Sequence, residues 1–261
     1  MQETPQEEKT ESRKWAKQVL EEYRDYENPS ATADIDVVWA ISGRGAYNAE
    51  PTPYLLSSPE FAKSDLFRED DRQQTDFAAQ LVREITAIRL NKNVKDILMD
   101  DIKKSGPILF YNGTNLQNKQ FRDAIESGSF PIPPNKIKIE TLSETDDPKD
   151  ANTLTQFQRF PKELLEELIA KNQRMALVQA RWHLPRIART INSRAVLEQQ
   201  PLWDNTNIIY FVSDKTKEDL PKDSKSVTKR AIDIRSAILG EGARINAYIK
   251  TGTDNPKPRY S

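Results

Sequence analysis

Short apolar runs bounded by polar or turn-forming residues recur along the chain, at Ile35 to Ile41, Ile108 to Tyr111, Ile137 to Ile139, Met175 to Val178 and Ile208 to Val212. Continuous runs of this kind predict strands buried on both faces. Between them the apolar positions take helical spacing. In Asp70 to Leu90, the residues Phe77, Leu81, Ile85 and Ile88 follow one another at intervals of four, four and three, one stripe on a helix. Gln117 to Ser127 reads as a shorter helix capped by Gly128. Asn152 to Lys171 reads as a helix that Pro161 kinks or restarts, and Pro185 opens a helix through Ile191. Strands alternating with helices imply crossover units and a mainly parallel sheet, an α/β fold.

Two appendages flank this core. Glu11 to Tyr26 places Trp15, Val19, Tyr23 and Tyr26 on one face, which predicts a helix packed on the domain, with a partner-binding helix as the alternative. Val227 to Ile249 reads as helical but interrupted at Gly240-Glu241-Gly242. The tail beyond Thr251, with Pro256 and Pro258, is expected to be mobile. The division is therefore an appended helix over 1–30, a single α/β domain over 31–251 and a tail over 252–261.

Composition narrows the chemistry. Lys plus Arg total 39 against 40 Asp plus Glu in 261 residues, so no bulk field favours nucleic acid or an anionic membrane, and a charged ligand must be captured locally. With no cysteine and one histidine, His183, disulfides, thiolate nucleophiles, Cys-ligated zinc and multi-histidine metal centres are excluded. The acidic doublets Asp70-Asp71, Asp100-Asp101 and Asp146-Asp147 read as solvated turn residues, and no metal site is assigned. The first residues are acidic where a signal peptide would be basic, and no apolar run is long enough for a membrane span. The expectation is a soluble, cytoplasmic protein without membrane insertion or nucleic-acid partner, its protein partners unspecified.

In an open α/β sheet, ligands bind outside the carboxyl ends of the strands where the strand order reverses. The first strand is followed by Ser42-Gly43-Arg44-Gly45, a turn suited to an anion through exposed amides and the Arg44 guanidinium; an ordinary tight turn would use the same residues. Asn112-Gly113-Thr114 follows the second strand. After the third, Asn152-Thr153 opens a helix, where either side chain can cap and free amides can meet an anion. The fourth leads into Arg181-Trp182-His183-Leu184-Pro185-Arg186, which gathers the only histidine and two arginines within six residues. Neutral imidazole transfers protons near neutral pH, while the arginines bind charge.

The order of these motifs resembles the YdcF-like family, which includes SanA and ElyC, over roughly Asp34 to Phe211. Val178-Gln179-Ala180-Arg181-Trp182-His183-Leu184-Pro185-Arg186 is similar to the family's strand running into Val-Thr-Ser-x-x-His-x-x-Arg, with Gln179 in place of threonine. Arg72 looks like the arginine opening the family's next helix, and Asn152-Thr153 resembles the start of Asn-Thr-x-Glu-Asn, with Thr155 at the glutamate position. The resemblance implies a Rossmann-like three-layer α/β/α sandwich of about five strands in the order 3-2-1-4-5. It also implies a small phosphorylated or nucleotide-like ligand, S-adenosylmethionine or a nucleotide among them. Two functional classes follow. One is a phosphoryl or nucleotidyl transferase or hydrolase with His183 as acid/base, and the other a non-catalytic, metabolite-sensing protein. Ser42, Gly43, Arg44, Gly45, Arg72, Asn112, Gly113, Thr114, Asn152, Thr153, Arg181 and Arg186 are the candidate binding residues.

Overall fold

A computed structural model describes residues 5–42, 70–142, 152–213 and 229–260. Five strands, β1 (Ile35–Ile41), β2 (Ile108–Gly113), β3 (Ile137–Thr141), β4 (Arg174–Gln179) and β5 (Asn207–Val212), form one sheet in the order β3-β2-β1-β4-β5. Every neighbouring pair is parallel. Each predicted run became a strand, extended by a residue or two where the sheet continues into polar sequence. The order reverses at β1, whose chain crosses to β2 on one side while β3 returns beyond it to β4.

The helices are α1 (Pro5–Asp25), α2 (Asp70–Leu90), α3 (Met99–Ser105), α4 (Asn115–Glu126), α5 (Thr153–Gln158), α6 (Lys162–Ala170), α7 (Leu184–Thr190), α8 (Arg194–Leu197) and α9 (Lys229–Thr251). One face of the sheet, through Val38, Ala40, Leu109, Tyr111 and Val178, packs on Ala78, Leu81, Val82 and Ile85 of α2, Ile102 of α3 and Phe121 of α4. The other face, through Val37, Trp39, Phe110 and Leu177, packs on Phe157 of α5, Leu165 of α6, Ile187 of α7 and Val196 of α8. These are the three layers of an α/β/α sandwich. The α2 stripe is wider than the sequence spacing implied. Ala78 and Val82 are buried, whereas Ile88 is exposed.

Trp39 centres the second core, with ring centroids 4.8 Å from Phe160, 5.2 Å from Phe157 and 5.9 Å from Trp203. Its indole N–H donates to Asn112 Oδ1 at 2.9 Å, satisfying a polar group that burial would otherwise leave unpaired. Pro161 separates α5 from α6, as the missing amide of proline requires. Arg89, in the last turn of α2, donates to the carbonyls of Ala33 and Ile35 and pairs with Asp36. This fixes the C-terminal end of α2 at the start of β1. Its N-terminal end therefore lies at the carboxyl edge of the sheet.

Two expectations are corrected. No break occurs at Gly240-Glu241-Gly242; α9 runs through it. The glycine is required by tertiary contact, because a Cβ on Gly242 would stand 2.5 Å from Ala16 N and 2.8 Å from Ala16 Cα of α1. The tail after α9 is also not loose. Asn255 N donates to Arg189 O and Arg259 N to Ala188 O, and the Arg259 guanidinium reaches the carbonyls of Trp203 and Thr206. Ala16, Val19 and Tyr23 of α1 meet Ile238 and Ile245 of α9 in a third apolar cluster that also holds Ala180 and Trp182.

Gly242→Ala tests this approach. Alanine favours a helix interior by about 1 kcal/mol, but the clash is with main chain and overpacking costs about 1–3 kcal/mol. The expected outcome is a net loss of stability in urea unfolding. A gain would show that the two helices do not meet at Ala16.

Candidate functional site

The carboxyl ends of β1 and β2 are tied by a polar lattice. Ser42 Oγ donates to Asn112 O at 2.6 Å, Gln156 Nε2 donates to Ser42 Oγ and Ser42 O at 2.5 and 3.0 Å, and Asn112 Nδ2 donates to Gln156 O at 3.3 Å. Ser42 and Asn112 therefore hold the strand ends together. Gly113 N donates to Asn118 Oδ1, and Thr114 and Gln117 cap α4 reciprocally, Thr114 N to Gln117 Oε1 and Gln117 N to Thr114 Oγ1. The amides of Gly113, Thr114 and Gln117 after β2 are thus already engaged. Gly113 is glycine for space, since a Cβ there would lie 2.9 Å from Gln117 Cβ.

Asn152 is the cap of α5, accepting from Thr155 N at 3.1 Å, and Thr155 Oγ1 accepts from Asn152 N in return. Threonine at that position does what a glutamate does in a capping box. This frees the adjacent Thr153 hydroxyl, which lies 3.4 Å from His183 Nε2 and accepts from Arg186 Nη1 at 2.9 Å.

After β4 a 3-10 turn, Arg181–His183, leads into α7 with Pro185 in its first turn. His183 is buried and stacked on Trp182, ring centroids 5.1 Å apart and planes 17° from parallel. Its Nε2 contacts the guanidinium of Arg186. A guanidinium only donates, so Nε2 is the unprotonated, accepting nitrogen of the imidazole.

The arginines are engaged by the terminal helices, which sequence spacing could not reveal. Arg186 Nε pairs with Glu241 Oε2 at 2.6 Å, and both side chains are buried. Burial works against the Arg186 charge, but Glu241, Tyr248 and Asp254 outweigh it and hold its pKa above the ordinary value. Arg181 donates to the carbonyls of Tyr23 and Tyr26 at 3.3 and 2.5 Å, completing the C-terminal end of α1. Both arginines, expected to meet a ligand, thus tie the terminal helices to the sheet edge in this structure. Arg189, one turn beyond Arg186, pairs with Glu22 at 2.6 Å and lies over the Trp15 ring. Glu22, Arg189, Glu241 and Asp254 were missed by sequence reasoning. The only signals were the three-residue spacing of Arg186 and Arg189, on one helical face, and an acid flanked by two glycines.

Gly43, Arg44 and Gly45 lie outside the described residues, and Arg72 falls in the first turn of α2. Thr153, His183 and Arg186 are brought together; Ser42 and Asn112 form a second cluster bridged by Gln156; Thr114 and Arg181 belong to separate caps. Asp101, of one acidic doublet, accepts from Leu98 N and pairs with Lys92, which holds its carboxyl below the usual range. Among the described residues no group of acids and histidine has the arrangement of a metal site, and no helix is long and apolar enough to cross a membrane.

The fold and this edge define an all-parallel α/β protein with a buried histidine–arginine–threonine cluster beside its topological switch point. No family model, curated protein or solved structure matches the chain, so its functional reading rests on this geometry and on the motif resemblance.

Proposed function

We propose that the protein binds a small phosphorylated or nucleotide-like ligand at the carboxyl edge of the sheet, between the ends of β1 and β4. The observation that carries this reading is the position of His183. The chain's only histidine follows β4 at the point where open α/β sheets receive ligands, with its accepting Nε2 between the Thr153 hydroxyl and the Arg186 guanidinium. The YdcF-like motif, Val178 to Arg186, and the 3-2-1-4-5 strand order support it. In a catalytic version, His183 Nε2 accepts a proton from a ligand hydroxyl or water that displaces the guanidinium contact, as a general base in phosphoryl or nucleotidyl transfer or hydrolysis.

A second reading, a non-catalytic metabolite sensor, is favoured by a different observation. Arg186 is neutralised by Glu241 and Arg181 is tied to main-chain carbonyls, whereas stabilising a transferring phosphoryl group calls for uncommitted cations. In this version the ligand acts by redistributing the contacts among α5, α7 and α9.

A thermal-shift screen against nucleotides, S-adenosylmethionine and sugar phosphates, with and without magnesium, separates these from no function at this edge. A ligand at 100 times its dissociation constant stabilises by about 2.7 kcal/mol. For an enzyme, His183→Ala is expected to lower turnover about a hundredfold while the ligand still binds. For a sensor there is binding and no turnover. If Thr153→Val and His183→Ala leave both the affinity and any turnover of every hit unchanged, the site lies elsewhere.

A further inference from the structure

Gln179, the last residue of β4, is fully buried, and among the described residues neither its amide oxygen nor its amide nitrogen has a hydrogen-bond partner. Turning the amide over exchanges the two atoms and pairs neither. A buried polar atom left unpaired loses its hydration with nothing in return, and the positions preceding it on the same face, Met175 and Leu177, are apolar. An aliphatic side chain would therefore serve the core better. On that face Gln156 adds another unpaired acceptor. Its Nε2 is held by Ser42, which fixes its orientation, and its Oε1 is buried without a partner. The edge beside His183 thus carries two unused carbonyl acceptors and one unused amide donor, with no charge among them.

Resting on the reading that a ligand binds at this edge, we propose that Gln179, with Gln156, recognises the amino-bearing edge of a nucleobase. A carboxamide complements a neighbouring N–H donor and ring-nitrogen acceptor through two parallel hydrogen bonds, the pairing by which glutamine reads adenine. The exocyclic amine of such a base supplies two N–H donors, for Gln179 Oε1 and Gln156 Oε1, and the ring nitrogen accepts from Gln179 Nε2. A phosphate does not fit this part of the edge, because its oxygens would face two carbonyl oxygens. The base end of the ligand accordingly lies against β4 and any phosphate lies away from it. Because Gln179 is enclosed, the edge must open to admit the base, which lowers the association rate below the usual diffusive range.

The test is a calorimetric comparison of adenosine, purine riboside (which lacks the amine) and inosine (which carries an oxygen in its place), with cytidine against uridine as the pyrimidine contrast. The expected result is at least about tenfold tighter binding of an amino-bearing nucleoside than of its counterparts. In Gln179→Leu that preference disappears, while the ligand-free variant is at least as stable as the wild type. Equal affinities across the series overturn the inference, as does a folded Gln179→Leu protein that keeps the preference. Should that variant fail to fold, the wild-type series alone decides. Binding of ribose 5-phosphate with no nucleoside bound refutes the base-reading role and leaves the proposed function standing. Binding of neither class refutes both.

Discussion

Glu241→Ala is expected to destabilise the protein by about 3–5 kcal/mol, the usual loss when one partner of a buried ion pair is removed. The carboxylate has no solvent exposure and faces Arg186 at 2.6 Å, with Arg244 as a second partner. Its removal leaves the Arg186 guanidinium buried, with Thr153, His183 and the Tyr248 ring as contacts. None of these supplies a negative charge, which leaves Asp254 to act on Arg186 in place of the pair. The pair spans 55 residues of chain, so its loss also detaches α9 from the start of α7. The double variant Arg186→Met with Glu241→Leu should recover much of the loss, because replacing both charges with apolar groups removes the desolvation cost. Urea unfolding of Arg186→Met, Glu241→Leu and the double variant gives the coupling energy. Additive losses would show that the two groups do not interact.

Stability should also carry a pH dependence traceable to Asp254. Burial pushes its carboxyl up to about 6, against the opposing pull of the Thr190 hydroxyl, which donates to Oδ1 at 2.6 Å, and of Arg186. Its Oδ2 is buried without a partner. A carboxyl whose pKa is raised on folding binds its proton more tightly in the folded state. The stabilisation is therefore fully present below the unfolded value near 3.8, and it is lost as the pH rises through about 6. A shift of about two units corresponds to about 3 kcal/mol. Asp254→Asn mimics the protonated form, so its stability relative to wild type should rise by about that amount between pH 4 and pH 7.5. A difference that does not change with pH would mean that Asp254 titrates in an exposed setting and that the tail is not docked.

The sheet was legible because its strands are buried on both faces and so appear as uninterrupted apolar runs, and a glycine or proline that bounds a helix acts locally. Pro161 and Gly128 behave as their backbone chemistry dictates wherever they occur. Gly240-Glu241-Gly242 misled for the opposite reason. Glycine there answers a neighbouring helix more than 200 residues earlier in the chain, and Gly242 lets the main chain of α9 reach Ala16. The same separation hid the fate of the arginines. Arg181 and Arg186 stand where an anion would be met, and only the folded chain brings the carbonyl of Tyr26 to one and the carboxylate of Glu241 to the other. Asn152 and Thr153 were read as interchangeable caps. The fold divides the work, with Asn152 capping α5 and Thr153 joining His183.

Because the chain has a single histidine, its imidazole nitrogen signals are assigned without mutagenesis, and a long-range proton–nitrogen NMR spectrum recorded during titration with a ligand from the thermal-shift screen tests the site directly. The free protein should show Nε2 as the unprotonated nitrogen, and saturation with a ligand bound at the carboxyl edge should shift both ring nitrogens. A ligand that stabilises the protein while the His183 signals stay unmoved would contradict the placement of the site.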